Sequence, residues 1–363
     1  MFTFKKPSFL GIDFGMSHIK AVECVIKNDK PYLTNYGEVL VDFSDLKDSA
    51  SQSQTPEDKV TALLALLLRK MAPKSKNAYV SMPGFSGLIT LIELPKMSRE
   101  ELEKAVQFEA QRHIPSPLSE VVLSWDVVWK QVIRDDTPIQ KVQAVEMPSS
   151  VEVLLVAALH KEVEKYERYI AENSLKMEML ELETFSLVRS LASDDGKTFL
   201  IIDIGSRSTN LILVEDGFIN VNRNVSAGGH EITTTLSEAL NITWERADIM
   251  KAGDKDFLNN KESTIIFPSL ELVINEARRI IAAYKEKHAG SSIDHVILSG
   301  GASKMKGLDA YLAKALDLQV SIGDPWEKIS YDERLKDSVK GLGASYSVAI
   351  GLVLAGIESY DRS

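Results

Sequence analysis

The chain has 363 residues, 44% of them hydrophobic, which suits two lobes of ordinary domain size rather than one. Its net charge of −10 excludes nucleic acid as a main partner, because tracking a phosphate backbone takes clustered Lys and Arg. One cysteine, Cys24, excludes internal disulfides and fits a reducing compartment, and no His, Cys or Asp spacing suggests zinc.

Residues 9–41 read as a three-strand meander. Its first strand, Phe9-Leu10-Gly11-Ile12-Asp13-Phe14-Gly15, runs into a short turn at Met16-Ser17-His18, and a second turn falls at Lys27-Asn28-Asp29-Lys30. Residues 42–54 are polar and Ser-rich, the composition of a loop. A helix follows at 57–71, with Val60, Leu63, Leu64, Leu67 and Leu68 on one face and Pro73 beyond its end. Residues 78–82 form a strand closing at Pro83-Gly84.

From residue 86 to about 158 the pattern changes. A strand at 88–94 leads to Ser98-Arg99-Glu100-Glu101, a capping box that opens a helix stopped by Pro115. Leu102, Ala105, Val106, Ala110 and Ile114 make its apolar stripe, and Phe108 stands off it. Strands at 121–130 and 151–158 flank a polar bend at 134–140, which together suggest a small inserted α+β module.

Residues 199–205, Phe199-Leu200-Ile201-Ile202-Asp203-Ile204-Gly205, repeat residues 9–15 at the Phe, first Leu, Ile, Asp and Gly positions. Each copy is an apolar strand, an Asp-x-Gly and a small polar turn, here Ser206-Arg207-Ser208-Thr209, followed by a second strand. One such motif is an ordinary hairpin turn. Two facing copies can hold a nucleotide from both sides. Gly15 and Gly205 allow backbone N–H groups to converge on phosphate oxygens, and Ser17, Ser206, Ser208 and Thr209 add small donors. Asp13 and Asp203, at the ends of buried strands, call for a cation, and hydrated Mg²⁺ is the usual one beside phosphates. Further on, Asp294 to Ser299 reads as a strand ending in Gly300-Gly301-Ala302-Ser303 before a helix at 307–316, a turn that admits a flat ring or a phosphate. The longest apolar stretch near the end, 348–357, is interrupted by glycines and too short to cross a membrane, and residues 1–8 hold no apolar signal core. A cytoplasmic protein is expected.

Hairpin, hairpin and glycine-pair turn, in that order, resemble the actin, Hsp70 and FtsA superfamily. The resemblance implies an α/β, bilobed actin-like ATPase fold with a small α+β subdomain in the first lobe. The first lobe would span 1–185, as a core of 1–84 and 159–185 with the subdomain at about 85–158. The second would span 186–363, with a nucleotide-binding subdomain at about 230–295 and a tail of about 20 residues returning toward the first lobe. Gly341-Leu342-Gly343-Ala344 would absorb part of a hinge motion there.

A closer resemblance lies in residues 11–23, and in Glu93-Leu94-Pro95-Lys96-Met97-Ser98 leading into Phe108-Glu109-Ala110-Gln111-Arg112-His113-Ile114-Pro115. These are similar to the PilM family of type IV pilus assembly, related to FtsA. What it implies is an ATP-binding adaptor that docks the cytoplasmic N-terminal segment of a PilN-like bitopic inner-membrane protein, with ATP (or ADP) and Mg²⁺ as ligands and little hydrolysis. It would sit at the inner face of the membrane through that partner, in reach of other pilus platform components and assembly ATPases. Asp13, Gly15 and Ser17 would form the first phosphate loop; Asp203, Gly205, Ser206, Ser208 and Thr209 the second; Gly300, Gly301 and Ala302 the adenosine motif. Gly228 and Gly229, then Glu245 and Lys251 on the helix after them, would flank base and ribose, with Glu276 and Arg279 in a comparable place. Glu183 matches the polar residue near the attacking water of hydrolysing relatives, and Phe108 would anchor the partner peptide.

Plainer readings stand beside these: Glu183 as a first-turn acid, Lys251 as a helix C-terminal base, Arg279 as a partner of Glu276, Phe108 as packed by neighbouring strands. Asn210 stands where many relatives have Asp, and Ile280 where some have Ser, departures that bear on hydrolysis more than on binding. The alternatives are an FtsA-like filament protein, which should carry an amphipathic C-terminal helix where residues 358–363 are short and polar, and a small-molecule kinase, for which no catalytic base stands out.

Overall fold

The structure of the chain, a computed structural model, describes residues 7–42, 55–128, 150–193, 196–259, 265–288 and 292–362. The loop expected at 42–54, apart from Asp42, and the bend expected at 134–140 lie outside these residues. The chain divides into two compact units, Met1–Gly84 with Glu164–Ser363, and Phe85–Val163.

The first unit opens with β1 (Ser8–Phe14), buried everywhere but its first position. It pairs antiparallel with β2 (His18–Lys27), which pairs antiparallel with β3 (Lys30–Leu40). Asn28 and Asp29 both take left-handed φ, as a tight two-residue hairpin turn requires. Helix α1 (Pro56–Met71) starts at a capping box between Thr55 and Asp58 and ends at left-handed Ala72, burying Leu64 and Leu67. Next, β4 (Asn77–Met82) lies parallel to β1 and sets Ser81 beside Asp13.

The second unit holds β5 (Gly87–Pro95), α2 (Arg99–His113), β6 (Val121–Val128) and β7 (Ser150–Leu159), in an antiparallel sheet of order β5-β7-β6. The Ser98–Glu101 capping box starts α2, whose Leu102, Val106 and Ala110, with Ile114, bury against Ile92, Leu94, Val153 and Leu155 of the sheet. Phe108, on the other face of α2, is 63% exposed, with the Arg112 guanidinium 5.4 Å from its ring centre.

Helix α3 (His160–Glu172) leads to β8 (Lys176–Leu182), parallel to β4, which completes a sheet of order β3-β2-β1-β4-β8. Helix α4 (Glu183–Leu191) starts where β8 ends. The pattern then repeats. Strands β9 (Phe199–Ile204), β10 (Thr209–Glu215) and β11 (Phe218–Val225) form a second antiparallel meander. After it come α5 (Gly229–Leu240), α6 (Trp244–Lys251) and α7 (Pro268–Lys287). Asn241, in left-handed conformation, ends α5, and Thr243 caps α6, so Gly229 and Lys251 belong to separate helices. Then β12 (His295–Ser299), α8 (Leu308–Leu316) and β13 (Val320–Ile322) complete a sheet of order β11-β10-β9-β12-β13. The two sheets share one topology. Their registers match as well: Asp13 lies opposite Lys20 on β2 and beside Ser81 on β4, while Asp203 lies opposite Asn210 on β10 and beside Ser299 on β12.

The chain closes with α9 (Lys336–Leu342) and α10 (Ser347–Asp361). Nearly every position of α10 from Ser347 to Ile357 is buried, as suits a helix apolar all round. The stretch read from sequence as too short to cross a membrane belongs to a longer helical run, Glu333–Asp361, of 29 residues, which is long and apolar enough by those measures. It is two-thirds buried in the fold, 67% of its most apolar window, and serves as a core element. There α10 crosses α4 with no room for a side chain at Gly351, where a Cβ would lie 2.1 Å from the Ser186 carbonyl oxygen.

Candidate functional site

The ends of β1 and β9 open onto one cavity of about 420 Å³, within the range of small-ligand pockets. Its lining includes Asp13, Gly15 and Ser17 of the first hairpin, Asp203, Gly205, Ser206 and Ser208 of the second, and Gly300, Gly301 and Ala302 after β12. Glu183, at the start of α4, and Gly229 and Lys251 line it too.

The turn after β9 is fixed by backbone. The Gly205 N–H donates to Ser208 O (2.9 Å), while Gly229 N–H and His230 N–H at the start of α5 donate to Gly205 O (2.9 Å) and Ser206 O (2.7 Å). Gly228 is part of this packing rather than of the lining: a Cβ there would meet the Gly205 and Ser206 oxygens at 2.6 Å. Thr209 is fully buried, its hydroxyl donating to Ala227 O at 2.7 Å. Gly300 has φ +85 and its Cβ would lie 2.4 Å from Ile204 O, so only glycine lets this turn sit against the end of β9.

Lys251 Nζ donates to Gly229 O (3.1 Å) and Thr233 Oγ1 (2.7 Å) and pairs with Asp248 (2.7 Å). Besides Gly228 and Thr209, three more expected residues do not line the cavity: Glu245 is exposed on α6, and Arg279, 80% exposed, pairs on the surface of α7 with Glu276 at 3.1 Å. Other lining residues carry no repeated motif: Lys20, His18, Glu38, Lys304, and the ring pair His230 and Trp244, 5.4 Å apart. The signal for Lys20 was present, since it holds the same place after Asp13 as Asn210 after Asp203.

The site is rich in acid. Burial raises the Asp13 carboxyl above its ordinary value, against the opposing effects of Lys20 and of the Ser81 hydroxyl, which donates to Asp13 Oδ1 at 3.1 Å. Burial pushes Asp203 up to about 6, against a Ser299 hydrogen bond and Lys20. Burial, with the charges of Asp203 and then Asp13, pushes Glu183 up to about 8, although Glu183 Oε1 accepts from Gly84 N–H at 2.8 Å. Lys20 Nζ, a cation near all three, donates to Ser345 O at 2.6 Å. Among the described residues no group of three or more His, Cys, Asp or Glu could itself enclose a metal ion. Two carboxylates facing one cavity do fit hydrated Mg²⁺, which keeps most of its waters and shares phosphate oxygens.

Compared with known proteins, residues 11–357 match the family described as type IV pilus assembly protein PilM. The chain is 24% identical over 239 residues to the cell division protein FtsA of Helicobacter pylori, covering 55% of this chain and 46% of that protein. It spans about half the length of the curated relatives it matches first. Among solved structures it resembles a PilM-PilN type IV pilus biogenesis complex, with TM-score 0.79 and 24% identity over 97% of this chain and 99% of that one. It also resembles the ethanolamine utilization protein EutJ from Carboxydothermus hydrogenoformans, with TM-score 0.53 and 15% identity over 97% and 90% of the two chains. The fold is the actin-like ATPase fold.

Proposed function

Since the chain belongs to the family of the type IV pilus assembly protein PilM, we propose that it is an ATP-binding adaptor of pilus or related secretion assembly. In this reading it docks the cytoplasmic N-terminal segment of a PilN-like inner-membrane protein and is held through it at the inner face of the membrane. One observation carries the nucleotide part: Asp13 and Asp203, at matching register positions of two sheets of one topology, line the same cavity. Backbone N–H groups and small hydroxyls of the two turns would take the phosphates, and Lys20 would offset their charge. Asp13 and Asp203 would hold Mg²⁺ through its waters, and the ion would draw together the phosphates' charge when bound. Gly300, Gly301 and Ala302 would receive the nucleoside, beside Gly229 and Lys251. The output is binding more than turnover, because most Glu183 carboxyls, pushed up to about 8, already hold a proton near neutral pH and are not free to take one from water.

Calorimetric titration of the purified chain with ATP–Mg²⁺ tests this. The wild type should bind with Kd on the order of 1 μM, and Asp13→Ala and Asp203→Ala should each abolish the heat. No heat with a wild type shown free of carried-over nucleotide would remove ATP from the account. For the partner, Phe108 is the exposed apolar anchor available on α2. Phe108→Ala should weaken binding of a PilN-type N-terminal peptide about tenfold or more.

A further inference from the structure

The hydrogen bond from Gly84 N–H to Glu183 Oε1 joins the cavity to the last residue of the first unit, since Phe85 begins the second. Gly84 has no slack. A Cβ there would lie 2.8 Å from Asn210 Nδ2 and 2.9 Å from Asn224 Oδ1, so the side-chain amides that β10 and β11 send toward Gly84 lie close against it on that side. Pro83, just before it, lines the cavity. Asn210 is itself tied to the start of α4, its Nδ2 donating to Thr184 Oγ1 at 3.1 Å, while its buried Oδ1 has no hydrogen-bond partner among the described residues. An acceptor therefore stands beside Gly84 unused.

The geometry points to a clasp: Glu183 is a positioning residue that passes occupancy of the cavity, through Gly84, into the inserted unit Phe85–Val163. The inference rests on the nucleotide reading and names how that site would be regulated. Phosphates and a cation arriving between Asp13 and Asp203 change the field that the Glu183 carboxyl group faces, and its dipole must reorient toward or away from them. Gly84 N–H then follows the carboxyl oxygen or loses it. Because the Asn210 and Asn224 amides close off the side of Gly84 that a side chain would take, the displacement goes on along the chain to Phe85 and β5.

Hydrogen exchange of the full chain, read by mass spectrometry over residues 84–95 with and without saturating ATP–Mg²⁺, tests the clasp. The wild type should show a nucleotide-dependent change of about fivefold or more in exchange rate there. Glu183→Gln keeps an acceptor oxygen and should keep the response. Glu183→Leu removes the acceptor, so the response should vanish and the Gly84 amide should exchange faster even without nucleotide. Should Glu183→Leu not fold, Gly84→Ala, which forces Asn210 and Asn224 aside with Glu183 intact, should alter exchange over 85–95 in the nucleotide-free protein. A wild type that binds ATP with unchanged exchange over 84–95 would overturn the clasp alone, as would a Glu183→Leu response equal to wild type. Absence of ATP binding in calorimetry overturns both readings, and that separate measurement tells the two failures apart.

Discussion

Glu183 carries a heavy electrostatic burden in the site. Its carboxyl ionises near 4.5 in an unfolded chain but only near 8 in the fold, because it is buried beside Asp203 and Asp13. Between those values the folded state holds a proton that the unfolded state has released, so nucleotide-free stability falls as pH rises from about 4.5 to 8. Glu183→Gln, which cannot ionise, should flatten this slope. Urea midpoints at pH 5 and pH 8 in the presence of a chelator check it, and parallel slopes for the two proteins would rule the assignment out. At this scale sequence goes only part of the way. Asp13 and Asp203 are legible because they repeat, and Lys20 from its place after Asp13, whereas Glu38 and Lys304 reach the cavity through register and turn geometry that composition does not display.

Strands and helices were more legible, because their periodicity follows from burial on one face. The helix expected at 57–71 is Pro56–Met71, and that expected at 307–316 is Leu308–Leu316. The meaning of the glycines in the last apolar run was not legible. They look like interruptions in sequence, yet Gly351 is where α10 touches the backbone of α4. Gly351→Ala would place a methyl 2.1 Å from Ser186 O, where only backbone movement can relieve it, and should cost about 1–3 kcal/mol or more. Gly341→Ala, on α9 with no heavy atom of the described residues within 4 Å of the added methyl, should be neutral or stabilise by about 0.5–1 kcal/mol. Denaturation midpoints of the two variants make the comparison, and equal effects would mean the crossing is looser than described.

For the whole molecule, the repeated Asp-x-Gly hairpins announced a duplication, but not that it extends to all five strands of each sheet. The outer strands hide it: β13 is three residues long and partly exposed, and β8 alternates Lys, Glu and Met, so neither repeats the other's sequence. The duplication sets a conflict between stability and binding. Each sheet brings one strand-end carboxylate, Asp13 or Asp203, to the cavity, and each is raised by burial, so with Lys20 as the cation beside them the chain bears part of their desolvation. Asp203, ordinarily ionising near 3.8, does so near 6 in the fold, and above that pH its charge opposes folding. Asp203→Asn should therefore raise the nucleotide-free midpoint at pH 7.5. ATP–Mg²⁺ at a hundred times Kd should stabilise the wild type by about 2.7 kcal/mol and the variant not at all, because the variant has lost one of the two carboxylates that face the ion. Both effects can be read in one set of thermal melts. If the variant were less stable than wild type without ligand, Asp203 would be a structural residue paired within the fold rather than a charge held for a ligand.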